Sequence, residues 1–383
     1  MSKLTSPSIT ITFTELGVSA ITRGERGVAA VVLKDTAASV TTLLSAKDIP
    51  AALSKLNQQL LLDALKGYTN APKKVIAYVM ASEKDMAASY KAAETYFETE
   101  EADYIAWPYA ETDGKGEEIA SWVKGIRTND HSKTKAVLSN QAADCDGVIN
   151  WTTALKRAVS TTADDGTITT ALVDVPPEQG TARIAGLLAG TGIAYSATYA
   201  PLTDFVDCTR LTKEARNTAV GEGKLLAFWD GGKVKLDRAV NSFVTTVQGK
   251  GDSFKKIKIV EAMDLMQHDI RETIENDYIG KFANTYDNKL LLVTAIGAYF
   301  DTLIDDDVLS AREVSIDVEA QRTYLKSIGK PAVIPNAAGA TEKAVDDCTD
   351  DEIKRANTGS HVFLKAVVSI LDAIEDVELD ISI

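Results

Sequence analysis

Three cysteines and three histidines in 383 residues leave little from which a metal centre or a nucleophile-base pair could be built. Cys145, Cys208 and Cys348 lie far apart with no CxxC spacing, which argues against a zinc site and a disulfide framework and fits buried, idle thiols in a reducing compartment. General base chemistry most often uses histidine. His131 falls in a polar loop and His361 opens an expected strand. His268 shares a helical face with Asp264 and Glu272, opposite Met263, Met266 and Ile270, and that face reads as a solvated charged one. Asp305-Asp306-Asp307 lacks the ordered ligand spacing of a calcium loop. Basic residues are also in deficit, 41 against 55 acidic, for a net charge of −14, which disfavours a general nucleic-acid or anionic-membrane binder. No stretch approaches the ~20 apolar residues of a membrane span, and Met1-Ser2-Lys3-Leu4-Thr5-Ser6-Pro7 is not followed by the apolar run of a signal peptide. The expectation is a chain made and kept in the cytosol unless lysis releases it.

The common catalytic and nucleotide-binding motifs are missing too: GxxxxGK[ST], GxSxG and HExxH do not occur, nor does an EF-hand loop. Gly114-Lys115-Gly116 and Gly190-Thr191-Gly192 do not complete GxGxxG between a strand and a helix, and read as turns. Gly223-Lys224-Leu225 runs into a strand instead of opening a helix, so it makes a poor phosphate loop. No catalytic, cofactor-binding or metal-ligating residues are assigned.

What is present is an ordinary globular composition, 45% hydrophobic and 25% charged, in a chain longer than the ~250–300 residues that one core organises. Two domains are expected. From Gly27 to about Val206, short apolar runs alternate with amphipathic stretches, as in βα units around a mostly parallel sheet. Strands are expected at Val28–Leu33, Val75–Met80, Tyr104–Trp107, Ala136–Leu138, Val148–Trp151 and Thr170–Val175. Helix starts are marked by Asp48 with Pro50, by Ser82 with Asp85, and by Pro176-Pro177-Glu178. After Thr209 the texture becomes antiparallel: Leu225–Trp229 and Val234–Leu236 flank the turn Asp230-Gly231-Gly232-Lys233, and Phe243–Val247 reads as a further strand. Apolar residues at steps of three and four, from Ile259 to Phe282 and from Leu290 to Leu303, predict two long helices. A strand near Val314–Ile316, a helix near Glu319–Ser327, a loop at Pro331–Ala340 and a short helix capped by Thr349 with Glu352 complete an α+β region. The fold class is thus α/β plus α+β, divided as an N-terminal arm (1–22), a doubly wound α/β domain (23–206), an α+β domain with antiparallel sheet and long helices (207–371) and a C-terminal arm (372–383).

Both ends alternate with period two: Ile9, Ile11 and Phe13 with threonines, and Val377, Leu379, Ile381 and Ile383 with Glu378, Asp380 and Ser382. Each reads as a strand. Pairing within the same subunit is one reading; donation to a neighbour's sheet edge is the other. Residues 341–383 carry eleven acidic and four basic side chains, half of the chain's excess charge. Two basic clusters stand out, Lys250 with Lys255, Lys256 and Lys258, and Arg322, Lys326 and Lys330 at spacing four along a helix. Solvated faces explain both, and the second is also compatible with steering toward an acidic protein.

Arg23-Gly24-Glu25-Arg26-Gly27-Val28-Ala29, Glu319-Ala320-Gln321-Arg322-Thr323-Tyr324-Leu325, and above all Asp351–Leu364 followed by Leu371-Asp372-Ala373-Ile374-Glu375-Asp376 resemble contractile tail sheath proteins. The likeness is to the short sheath type of Gram-positive phages, defective prophages and phage-tail-like bacteriocins. It implies a structural subunit in six-fold rings stacked around a tail tube, with the C-terminal region inward and the α/β domain outward. It implies self-association, contacts with tube, baseplate and tail terminator proteins, no cofactor, and a place in a virion tail or tail-like particle assembled in the host cytoplasm. On this reading Ile9, Ile11, Phe13, Val377, Leu379 and Ile381 form inter-subunit strands, and Arg322, Lys326 and Lys330 face the tube. The competing class is a two-domain α/β enzyme with a nucleotide or sugar-like ligand at the ends of its parallel strands.

Overall fold

The computed structural model describes residue 21 and residues 26–83, 85–162, 168–337 and 339–382. The chain divides into two compact units, one within Arg23–His268 and joined by Asp306–Val308 and Ile370–Ile383, the other within Asp269–Asp305 and Leu309–Ser369.

The larger unit begins with β1 (Val28–Asp35), β2 (Ser39–Leu43), β3 (Lys74–Ala81), β4 (Tyr104–Ala106), β5 (Lys135–Ser139) and β6 (Val148–Trp151). A hairpin of β7 (Leu155–Thr162) and β8 (Ile168–Val175) follows, with β9 (Asp207–Cys208) on the other edge of β7. With β10 (Lys224–Leu225), the main sheet has the order β10-β6-β5-β4-β1-β3-β2, parallel except for β2. Alternate residues of β1 face opposite layers, as period two requires. Ala29, Val31 and Leu33 pack with α1 (Lys55–Leu65) and α4 (Pro177–Ala189), whereas Val28, Ala30 and Val32 pack with α2 (Met86–Thr99) and α3 (Gly116–Asn129). The sheet is covered on both faces. The α1–α4 contact is so close that a Cβ on Gly186 would lie 1.9 Å from the Ala64 carbonyl, so only glycine fits there.

Several local expectations change. Thr170–Val175 belongs to the antiparallel β7–β8 hairpin and not to the main sheet. Asp85 alone caps α2, accepting from Ala87 N–H at 2.9 Å, while Asp48 caps a short 3-10 turn and α1 begins later behind Ser54. The boundary placed at 206/207 falls inside the larger unit, because β10 extends the main sheet and the hairpin of β11 (Ala227–Trp229) and β12 (Val234–Leu236) contributes Ala227, Val234 and Leu236 to the same core. A short helix α5 (Lys213–Gly221) precedes them. Phe243–Val247 is irregular, its pairing reduced to one bridge between Val247 and Lys250.

Helix α6 (Ile257–Thr273) passes into a π-helical turn at Ile274–Tyr278, and α7 (Tyr286–Asp305) follows. The smaller unit then adds β13 (Leu309–Ile316), α8 (Val318–Ser327), β14 (Ala332–Asn336), β15 (Gly339–Lys343), α9 (Asp350–Arg355) and β16 (Leu364–Ile370). The loop expected at Pro331–Ala340 is instead the β14–β15 hairpin, whose Ala332 and Ile334 pack with Leu325, Val345 and Ile353. Buried Ala332 and Ile334 at alternate positions outweigh the loop-like Pro335, Asn336 and Gly339, which pair as the last rungs of the hairpin. His361 precedes β16 and stacks near Tyr324 and Phe363.

Candidate assembly surfaces

The C-terminal segment is tied down over its first half and bare over its second. Leu371 N–H bonds to the Val308 carbonyl at 2.9 Å. Lys256 pairs with both Asp372 and Glu375, and Arg238 reaches Asp376 at 2.6 Å. The Glu375 side chain is only 6% exposed and also accepts from the Thr198 hydroxyl at 2.6 Å. Residues 372–376, the start of the expected C-terminal arm, are therefore a clamp, with Asp372, Glu375 and Asp376 as its anchoring groups. Beyond them no strand forms over residues 377–382. Ile374, Val377, Leu379 and Ile381 are 90%, 77%, 78% and 71% exposed. Burying a large aliphatic side chain is worth about 1.5–3 kcal/mol, so this segment forgoes several kcal/mol unless another surface covers it.

A matching deficit exists in the smaller unit. β13 and β16 form a sheet of only two strands among the described residues. Two-stranded ribbons are marginal alone, and their outer edges present unpaired backbone groups. Ile9, Ile11 and Phe13 lie outside the described residues.

Polar chemistry concentrates instead in the interior of the larger unit. Asp264, placed on a solvated face by helical spacing, is buried. Its carboxylate takes a two-pronged contact from Arg127, 3.0 Å at each oxygen, and lies 2.5 Å from Lys135. Glu261, one turn earlier on α6, binds Lys135 at 2.7 Å, the Tyr104 hydroxyl at 2.7 Å, and Arg26. Asp146 approaches Arg127 at 3.6 Å and Lys250 at 3.0 Å. Burial pushes the Asp264 carboxyl up, but Lys135 and Arg127 outweigh it and hold it below the usual range. Burial pulls Lys135 down to about 8 against the attraction of Asp264. The network joins α6 to the starts of β1, β4 and β5. Its one clue in the sequence was Lys135 opening the otherwise apolar run Lys135–Leu138. His268 stands 4.0 Å from Glu101. Among the described residues no group of three or more His, Cys, Asp or Glu side chains could hold a metal ion.

Two family models match this chain, the phage tail sheath protein central domain over residues 82–242 and the phage tail sheath C-terminal domain over residues 249–383. The tail sheath protein of Clostridium phage phiCD119 is 32% identical over 378 residues, 97% of this chain and 98% of that protein. The chain belongs to the phage tail sheath protein family. The same fold occurs in the sheath tail protein of Desulfitobacterium hafniense, with TM-score 0.62, 18% identity and coverage of 95% of this chain and 100% of that one. It occurs also in the helical sheath of the anti-feeding prophage in its contracted state, with TM-score 0.66, 14% identity and 99% coverage of both chains.

The remaining sites can be placed on this sheath chain. Arg322 donates to the Val345 and Cys348 carbonyls at 3.1 Å each and to Asp350 at 2.8 Å, so it braces α9. Lys326 pairs with Asp346, and Lys330 lies beyond the end of α8 at Ser327. The three do not form one helical row. At the switch point of the sheath α/β sheet, between the ends of β1 and β4, where a doubly wound enzyme would hold its ligand, Lys34 pairs with Asp113 at 2.6 Å and the Tyr109 hydroxyl bonds Asn57 at 2.7 Å. The groups available there bind one another. All three cysteines are free and buried, and burial pushes their thiols up.

Proposed function

We propose that this contractile tail sheath subunit joins its neighbours by donating strands from both ends of the chain, and that the β13–β16 ribbon of an adjacent subunit accepts them. Two observations carry the reading: the exposed, period-two apolar face at Val377, Leu379 and Ile381, and, in the other unit, a ribbon of only two strands among the described residues. Addition of strands would cover those side chains and satisfy backbone groups together. The subunits would stack as six-fold rings around a tail tube, with baseplate and terminator proteins at the ends, in a virion tail or tail-like particle assembled in the host cell and released by lysis. The chain's role is structural and not catalytic, supported by its family and by the self-paired groups at the β1/β4 switch point. Contraction would rotate and displace subunits while donated strands stay paired. The C-terminal hinge is then placed after Asp376, beyond the clamp. Of the basic residues assigned to the tube, Lys330 is retained, Arg322 and Lys326 both being engaged in their own subunit.

Deleting residues 377–383 tests this. The expected product is folded, soluble and unable to polymerise by electron microscopy; normal tubes would overturn the reading.

A further inference from the structure

In the smaller unit a groove of about 680 Å³ lies between the π-helical turn and the segment leading into β16. Its walls are apolar, from Tyr278, Ile279, Phe282, Leu292 and Val362, and Ile279 and Phe282 are themselves exposed. Lys289 also lines it and is buried, yet among the described residues its ammonium meets no carboxylate: its contacts are the Gln321 side-chain oxygen at 3.3 Å and the Thr358 hydroxyl at 3.4 Å. Beside it, the Asn284 amide nitrogen serves Thr358, Gly359 and His361, while its side-chain oxygen is buried without a partner. A buried cation with only neutral oxygens around it is costly, and a carboxylate from outside would relieve that cost. Burial alone lowers the Lys289 pKa, as an unpaired ammonium requires.

We infer that this groove receives residues 377–382 of a second copy of the chain, with the acidic edge of that segment supplying the missing counter-charge to Lys289. The inference rests on the strand-donation reading and adds to it a receptor site. Two complementarities select this occupant. An extended segment sets Val377, Leu379 and Ile381 on one edge and Glu378 and Asp380 on the other, so lying lengthwise in the groove it turns its apolar edge to the walls and its acidic edge to Lys289. The groove wall at Gly359, Ser360 and Val362 runs directly into β16, so a strand entering the ribbon edge passes this wall. Lys289 then has two roles. It penalises the empty subunit and rewards the filled one, which favours assembly over the free state and selects an acidic segment over a merely apolar one.

The test is assembly of the full-length chain, measured as the critical concentration for polymer formation by light scattering and electron microscopy. Lys289→Met should raise that concentration at least tenfold, and Glu378→Gln with Asp380→Asn should do the same. The three substitutions together should cost no more than either set, since both remove one interaction. Thermal unfolding of dispersed subunits separates this from misfolding: Lys289→Met should leave the melting temperature unchanged or raise it, because an uncompensated buried charge is removed. Unchanged assembly in Lys289→Met, additive losses, or a fall in melting temperature paralleling the assembly defect would each overturn the inference. If deletion of residues 377–383 abolishes polymers while Lys289→Met does not, strand donation stands and the groove assignment fails; if the deletion itself polymerises normally, the underlying reading fails.

Discussion

Replacing Asp264 by asparagine removes the charge that two buried cations share. Breaking a buried ion pair by neutralising one partner costs about 3–5 kcal/mol, because the other charge stays in the interior. Here each cation keeps a second partner, Glu261 at 2.7 Å from Lys135 and Asp146 at 3.6 Å from Arg127, which sets the expected cost at the low end, about 3 kcal/mol. In a unit of this size each kcal/mol moves the melting temperature by ~2–4 °C, so a loss of roughly 6–12 °C is expected. Differential scanning calorimetry of dispersed subunits measures it, with Glu118→Gln as reference. Glu118 belongs to an exposed pair with Lys115 on α3, and such pairs contribute at most about 1 kcal/mol. A second variant, Lys135→Met with Asp264→Leu, should recover much of the loss, since a buried pair replaced by apolar side chains is often neutral. An Asp264→Asn shift no larger than that of Glu118→Gln would refute the claim that the network holds α6 against the sheet.

Further outcomes are expected elsewhere. Deleting residues 1–16 should leave a folded subunit that no longer polymerises, read by electron microscopy beside the 377–383 deletion. Glu375→Ala should speed amide hydrogen exchange at residues 371–376 by at least tenfold, since the carboxylate that binds Lys256 and Thr198 is lost. Arg322→Glu should lower the melting temperature of dispersed subunits, because its contacts brace α9; a defect confined to assembly around tubes would contradict this. Glu352 is held down at about 2 by Lys343 and the Thr349 N–H. A depressed carboxylate contributes stability above its unfolded pKa that is lost as pH falls through the folded one. The α9 cap should therefore loosen between pH ~4.5 and ~2, visible as broadening of the Thr349 and Glu352 amide signals in NMR, and Glu352→Gln should abolish that titration.

Legibility in the sequence followed the physics of periodicity. β1, β3, β5 and β6 are buried on both faces and appear as continuous apolar runs, and α6 and α7 show steps of three and four, so all six were readable. The Thr349–Glu352 cap was readable because both halves of its hydrogen bonding are local. Partnership between distant segments was not. Thr170–Val175 carries the same apolar content whether it pairs with β7 or enters the main sheet, and only its antiparallel register with Leu155–Thr162 decides between them. Asp264 falls on a polar helical stripe, and nothing within its own helix reveals that Arg127 and Lys135 wait opposite. The same limit applies to Asp372, Glu375 and Asp376, whose pairing with Arg238 and Lys256 no local pattern shows. For Arg322 the spacing suggested an outward row, and its bonds to the sequence-distant carbonyls of Val345 and Cys348 could not be read from that spacing. The exposed alternation at Val377, Leu379 and Ile381 was legible, since period two is a local property of the chain.

Strand donation is tested most directly by cryo-electron microscopy of polymerised subunits at a resolution that traces the backbone. The account predicts density for residues 377–382 of one subunit hydrogen-bonded along an edge of the β13–β16 ribbon of another. Density showing that segment folded back on its own subunit, with the ribbon edges left as two strands, would contradict it.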